Sequence, residues 1–183
     1  WRELATVWGL ALGDGDPCQA AEQQQVVCFR SSISTLALIR QLGRPGIVTL
    51  HDESHQPVYA LLSGLSNEGA TLRMGGLSHT VSLLSLAQMW QGDFATFWRA
   101  PPGYANRIVD AGSGPAADWL VARLATLQGD APPGDKRAPD AALKSRVYAF
   151  QLAQGLKADG LAGPTTFMQL NRAIGVDEPH LQN

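Results

Sequence analysis

From Arg146 to Phe167 the chain reads RVYAFQLAQGLKADGLAGPTTF, and no other stretch restricts the fold as tightly. Leu143, Val147 and Phe150 recur at i, i+4 and i+7, so they share one face of a helix. Gly155 stands where a left-handed residue would stop that helix. Lys157-Ala158-Asp159-Gly160 supplies turn chemistry. Gly163-Pro164-Thr165-Thr166 restarts the chain as a helix, with proline at the first helical position, where its missing N–H costs nothing. The expectation is a stiff loop held between two helices that share a small core.

The flanking chain supports a compact helical domain around this loop. Gly114-Pro115 opens a helix with Leu120, Leu124 and Leu127 inward and Trp119 beside them. Pro139-Asp140 opens the next after the loop GDAPPGDKRAP, and Pro164 opens the last, with Phe167, Leu170 and Ile174 inward and Gly175 as its stop. The first 42 residues also read as helical, over Leu4 to Leu12, over Cys18 to Val27, and from Leu36 to Leu42 before Gly43. From Gly46 the period changes. GIVTL, VYALL, ATLRM and Ser78–Ser82 read as strands, Leu83–Trp90 as a short helix and DFATFWR as a last strand. Helices followed by a mostly antiparallel sheet make an α+β domain. The expected division is 1–102 for that domain, 103–113 for a linker, 114–175 for a small three-helix domain and 176–183 for a tail. About 60 residues of helix is near the lower limit for folding alone, so the second domain is expected to lean on the first.

Hydrophobic residues make up 45% and charged residues 16% of the 183, which fits a chain that buries a core. A net charge of −2 argues against nucleic acid as a partner. No apolar run reaches the ~18 residues of a membrane span, and no signal peptide is present. The chain starts at Trp1 rather than methionine. The expectation is a fragment or mature form whose anchor or export signal lies upstream.

The chemistry-bearing residues are few. Cys18 and Cys28 stand ten positions apart, outside any C-x-x-C or C-x-x-H pattern. They could be a disulfide, a weak metal pair or unrelated buried residues; a disulfide is preferred and would imply an oxidising compartment. His51-Asp52-Glu53-Ser54-His55 places two histidines at i and i+4, but aspartate occupies the position a zinc-peptidase glutamate needs, and Pro57 closes the segment. A polar hairpin loop is the better reading. His79 reads as a strand residue, Trp90, Trp98 and Trp119 as core more than a sugar platform, and Asp14-Gly15-Asp16 as a turn. No metal and no cofactor are called for. Asp159 has two readings, a carboxylate that fixes its own turn or one that faces a ligand, and the first is favoured.

Phe150, Gln151, Gly155, Leu156, Asp159, Gly160, Gly163 and Thr166 spell F-Q-x-x-x-G-L-x-x-D-G-x-x-G-x-x-T, eight positions over 17 residues without a gap. The pattern resembles the signature of the small three-helix peptidoglycan-binding module, although the equivalent turn in the first half of that module is missing. The resemblance implies a wall-binding site at Arg146, Gln151, Asp159, Gly160, Gly163, Thr165 and Thr166. The layout of residues 1–102 is similar to the papain-like peptidase C39 domain. There, however, Pro57-Val58-Tyr59 stands where the base histidine should open a strand, and Gly75-Gly76 where its acid should follow. A thiol without a base is a poor nucleophile at neutral pH, so the resemblance implies a non-catalytic domain. The two modules in this order resemble the periplasmic region of the general secretion pathway protein A family of type II secretion. That resemblance implies several further things: peptidoglycan binding, partnership with general secretion pathway protein B, indirect service to the outer-membrane secretin, and self-association. It also implies an inner-membrane anchor and an ATPase domain upstream. The competing expectation is a cell-wall hydrolase or cysteine peptidase targeted by its wall module.

Overall fold

The computed structural model describes residues 1–52, 54, 56–105, 108–109, 114–129 and 140–182. It divides into one unit of Trp1–Trp98 with Asp177–Asn183, and a second of Arg99–Val176. Among the described residues no helix is long and apolar enough to cross a membrane.

The first unit opens with α1 (Arg2–Val7), which buries Leu4 and Ala5 and ends against buried Trp8. The second helix, α2 (Pro17–Glu22), starts sharply because the Asp16 carboxylate accepts from Cys18 N and Gln19 N, each at 2.9 Å. It stops earlier than its sequence suggests. Gln25 takes a left-handed φ of 60°, and the β-formers Val26 and Val27 lead a strand, β1 (Val26–Ser31), where the sequence implied continued helix. This correction carries Cys28 back beside Cys18. The two are joined in a disulfide, with Cα atoms 5.5 Å apart. Next comes α3 (Leu36–Leu42), capped by the Thr35 hydroxyl on Leu38 N and ended by Gly43 at φ 64°.

The strands β2 (Gly46–His51), β3 (Pro57–Leu65), β4 (Gly69–Met74), β5 (Leu77–Ser82) and β6 (Trp90–Arg99) follow, with α4 (Leu83–Met89) between the last two. With β1 they form one sheet in the order β1-β6-β2-β3-β4-β5. Antiparallel ladders join β2 to β3, β2 to β6, β3 to β4 and β4 to β5. Along β2 the side chains alternate, with Val48 and Leu50 buried and Ile47 and Thr49 half-buried on the other face. Leu4, Ala5, Trp8, Ala21, Val26, Leu61 and Phe97 form a core cluster of this unit. Asp52 closes the β2–β3 connection by accepting from Ser54 N at 2.8 Å and Gln56 N at 2.9 Å, so this segment is a hairpin loop. Glu53 and His55 lie outside the described residues.

The last residues are more than a tail. Leu181 N donates to Gly43 O, Gln182 N to Ser63 O, and Leu65 N to Gln182 O, at 2.8–3.0 Å. The ladder between β2 and β3 ends at Gly46 opposite Leu62. The preceding residue is Pro45, which has no N–H to extend it. The returning chain supplies the partners that proline cannot.

The second unit contains α5 (Pro115–Gln128), α6 (Asp140–Ala153) and α7 (Pro164–Ala173). Leu120, Leu124, Leu143, Val147, Phe150, Phe167 and Leu170 are buried in it, as their periodicity implied. Trp119 and Tyr104 both pack on the Phe167 ring, at 6.2 and 5.5 Å between centroids. Burial raises the Tyr104 hydroxyl above its usual pKa. Val109, in the stretch expected to be a linker, instead pairs with Ala162 through N–H···O bonds of 3.0 and 3.2 Å. GDAPPGDKRAP lies largely outside the described residues.

Candidate functional site

The loop between α6 and α7 is built from the inside. At the end of α6, Leu156 N donates to Gln151 O at 2.8 Å and Gly155 N to Leu152 O at 3.1 Å, while Gly155 sits at φ 66°. These two bonds are a Schellman cap, which turns the chain out of the helix and satisfies its last carbonyls. Gln151 then organises the turn. Its side-chain oxygen accepts from Asp159 N at 3.0 Å and Gly160 N at 2.8 Å. Its amide nitrogen is shared among Asp159 Oδ1 at 3.1 Å, Leu161 O at 2.9 Å and Thr166 Oγ1 at 3.0 Å. Gln151 and Thr166 are each only 2% exposed.

Asp159 completes the frame. Its Oδ1 also accepts from Leu161 N at 2.9 Å, the bond that does most to hold its carboxyl below the usual carboxylate range. The Gln151 amide and the Lys157 ammonium, 3.9 Å from Oδ2, act in the same direction, while burial opposes them. Lys157 is 90% exposed, so that ion pair contributes little. Gly160 adopts φ +73°, and a Cβ there would lie 2.7 Å from Lys144 Cγ and 3.0 Å from Lys144 O. Its missing side chain serves packing against α6 rather than approach of a ligand.

Four of the seven residues implied as wall contacts therefore belong to the frame: Gln151, Asp159, Gly160 and Thr166. For Gln151 this corrects the expectation of a direct contact, since both polar atoms of its side chain are spent inside the loop. Arg146, Gly163 and Thr165 are half-buried and remain at the surface. Gly163 is the N-cap residue of α7 in an extended conformation, φ −93°, with no atom within 4 Å of where a Cβ would stand. No side chain caps α7, and Pro164 leads it. The first N–H groups of a helix have no intrahelical partner and carry the positive end of its dipole, so this end suits an anion. Lys144 and Val109 were not legible as parts of the site. Lys144 lies seven residues before Gln151, on the same helical face, and only that spacing could have signalled it.

The residues weighed for catalysis in the first unit are dispersed. Both cysteines are in the disulfide. Tyr59 lies on β3 and is 67% exposed. Gly75 and Gly76, at φ 55° and 82°, form a two-residue turn between β4 and β5. His51 ends β2 opposite Pro57, and exposed His79 pairs with Leu72.

Residues 113–170 match the family profile of the peptidoglycan binding domain. The chain is 32% identical over 184 residues to general secretion pathway protein A of Aeromonas hydrophila, a match that covers all of this chain and 33% of that protein. The chain thus spans about a third of the length of the curated relative it matches. Its fold is similar to a crystal structure of a periplasmic domain of the EpsAB fusion protein of the Vibrio vulnificus type II secretion system. That likeness has a TM-score of 0.58 and 25% identity, and covers 97% of this chain and 78% of the other. A partial likeness, TM-score 0.35 at 22% identity over 52% of the chain, is to the peptidase C39 like domain of a toxin secretion ATP-binding protein from Vibrio parahaemolyticus.

Proposed function

We propose, for a chain similar along its whole length to general secretion pathway protein A, that it is a non-catalytic, periplasmic, wall-binding region of a type II secretion assembly factor. The observation that carries the wall-binding reading is the loop of the second unit. Gln151 holds it rigid from within, and Gly163 and the uncapped start of α7 are left open. Stem peptides of peptidoglycan carry carboxylates, which match a helix N-terminus. Arg146, half-buried on α6, and Thr165, in the first turn of α7, are the proposed side-chain contacts, while Asp159, Gly160 and Thr166 act by shaping the loop. Affinity is modest, because a few directed hydrogen bonds supply it rather than a charged surface.

The periplasmic location is supported by the disulfide, which belongs to oxidising compartments, and by the likeness to a periplasmic domain of the EpsAB fusion protein. The non-catalytic reading is supported by the same bond, because a disulfide sulfur is not the thiolate a cysteine peptidase needs. Placement of the secretin through the wall, partnership with general secretion pathway protein B, an inner-membrane anchor, an upstream ATPase and self-association are further parts of the proposal. They rest on the similarity to general secretion pathway protein A alone.

Cosedimentation with purified peptidoglycan sacculi tests the central claim. Wild type is expected in the pellet. Gly163→Val is expected in the supernatant with an unchanged circular dichroism spectrum. Equal sedimentation of the two would remove the loop from wall binding.

A further inference from the structure

The first unit has an open cleft of about 710 Å³ on the sheet face opposite the buried side chains of β2. Ile47 and Thr49 of β2 and Ala95 of β6 line it, and Ile47 stands opposite Ala95 in the ladder. These short or β-branched side chains make a flat floor. Trp1 and Tyr59 are its aromatic walls, and Tyr59 stands opposite Thr49. The volume lies within the roughly 300–1,000 Å³ of ordinary ligand sites, and the mixture of apolar floor and few polar groups is typical of them.

The charges are what single this cleft out. Arg30 and Asp93 both line it, yet they form no ion pair with each other. The Arg30 guanidinium lies over the Trp1 ring at 5.1 Å and reaches Cys18 Sγ at 3.7 Å, and no carboxylate meets it among the described residues. The Asp93 carboxylate has no hydrogen-bond or ion-pair partner among them either. The Trp1 ring, itself packed on Phe97 at 4.9 Å, holds the guanidinium in place. A cation and an anion thus stand in one cleft, neither met by an opposite charge among the described residues. A ligand with one group of each sign satisfies both, while an ion of either sign is attracted by one and repelled by the other.

We propose that this cleft binds a short extended peptide bearing both a free carboxylate and a free ammonium group. The carboxylate lies on Arg30, the ammonium on Asp93, and the backbone lies over Thr49 between the two rings. A cell-wall stem peptide has this chemistry, since its diamino acid carries an ammonium and a carboxylate besides its terminal carboxylate. The identification of the peptide as a wall fragment rests on the wall-binding reading above; the cleft's preference for a zwitterion does not. The first unit would then offer the wall a second, weaker contact, separate from the loop before α7 and too weak to retain the chain on sacculi without it.

The test is a titration of the full chain with the soluble tripeptide L-Ala-γ-D-Glu-meso-diaminopimelate, followed by amide resonances. The expected result is a set of shifts at Thr49, Tyr59 and Asp93. Arg30→Ala and Asp93→Asn should each weaken binding roughly tenfold, the loss of one charge-assisted contact. Both side chains are at the surface, so folding is not at stake. An analogue with both its ammonium groups acetylated and its carboxylates amidated should give no shifts. Absence of shifts at the three residues overturns the proposal, as does equal binding of the capped analogue or equal binding by both variants. An all-L tripeptide with the same charges that binds as well overturns the wall as the source. Gly163→Val separates this site from the loop. It should lose retention on sacculi and keep the tripeptide shifts at the cleft, and loss of those shifts counts against the proposal.

Discussion

Arg44 Nη2 lies 2.9 Å from Glu178 Oε2, with both side chains only 3% exposed, and the two residues are 134 positions apart in the chain (178 − 44). The pair fastens the returning C-terminal segment into the first unit, beside the bonds from Leu181 and Gln182. A buried ion pair is a weak net source of stability, but removing one member strands the other charge away from water. Glu178→Ala is therefore expected to destabilise the first unit by roughly 3–5 kcal/mol. Joint replacement, Arg44→Met with Glu178→Leu, should recover most of that loss. Urea unfolding of the three proteins checks both. A single variant as stable as wild type would show that the segment is not held here.

Gln151 makes a comparable test in the second unit. Truncation to alanine leaves the amides of Asp159 and Gly160 and the Thr166 hydroxyl short of a partner in a buried place. The expected cost is roughly 2–4 kcal/mol, since each orphaned group costs about 1–3 kcal/mol before relaxation. Wall binding should fall with it, through the loop's shape. Hydrogen exchange at Gly160 gives the local readout, and unchanged protection there would contradict the frame.

Gly160 and Gly163 look alike in sequence and are expected to behave differently. Gly160→Val puts a side chain at φ +73° against the Lys144 backbone and should lower the melting temperature of the second unit, by strain of roughly 1–3 kcal/mol. Gly163→Val meets open space in an extended conformation and should cost less, about 0.5–1 kcal/mol for replacing a glycine N-cap by valine. Thermal melts of the two proteins decide it. The same drop in both would mean that the loop tolerates neither.

Asp159 ties the loop to pH. Its carboxyl titrates lower in the folded state than the ordinary value of about 3.9, chiefly through the Leu161 N–H. The folded state thus gains stability from its ionised form. That gain is complete above the unfolded pKa and disappears as pH falls through the lower, folded one. Stability of the second unit measured from pH 5 downward should fall less steeply in Asp159→Asn than in wild type. Identical slopes would remove Asp159 from the acid response.

Reduction of Cys18–Cys28 should cost roughly 2–3 kcal/mol, the loop-closure entropy of a ten-residue separation. Cys18→Ser with Cys28→Ser measures it. The unreduced, unfolded wild type should show no free thiol on titration.

Local chemistry was enough to determine much of this protein. Helical periodicity and caps located α3, α5 and α7, and alternation and turn residues located the five strands after Gly43, because those signals act over a few residues of chain. Leu143, Val147 and Phe150 were legible as core for the same reason. The sequence misled at Val26–Ser31, where a short apolar run suits helix and strand alike; pairing beside β6 made it a strand. It could not say that Gln151 points inward, because nothing in F-Q-x-x-x-G distinguishes a ligand contact from a buried amide. That depends on the Schellman turn bringing two backbone N–H groups, from residues eight and nine positions away, to one oxygen. The pairing of Arg44 with Glu178 and the meeting of Arg30 and Asp93 in one cleft are likewise invisible in the sequence. Each joins residues far apart in the chain, and only the assembled sheet and the returning C-terminal segment bring them into one place.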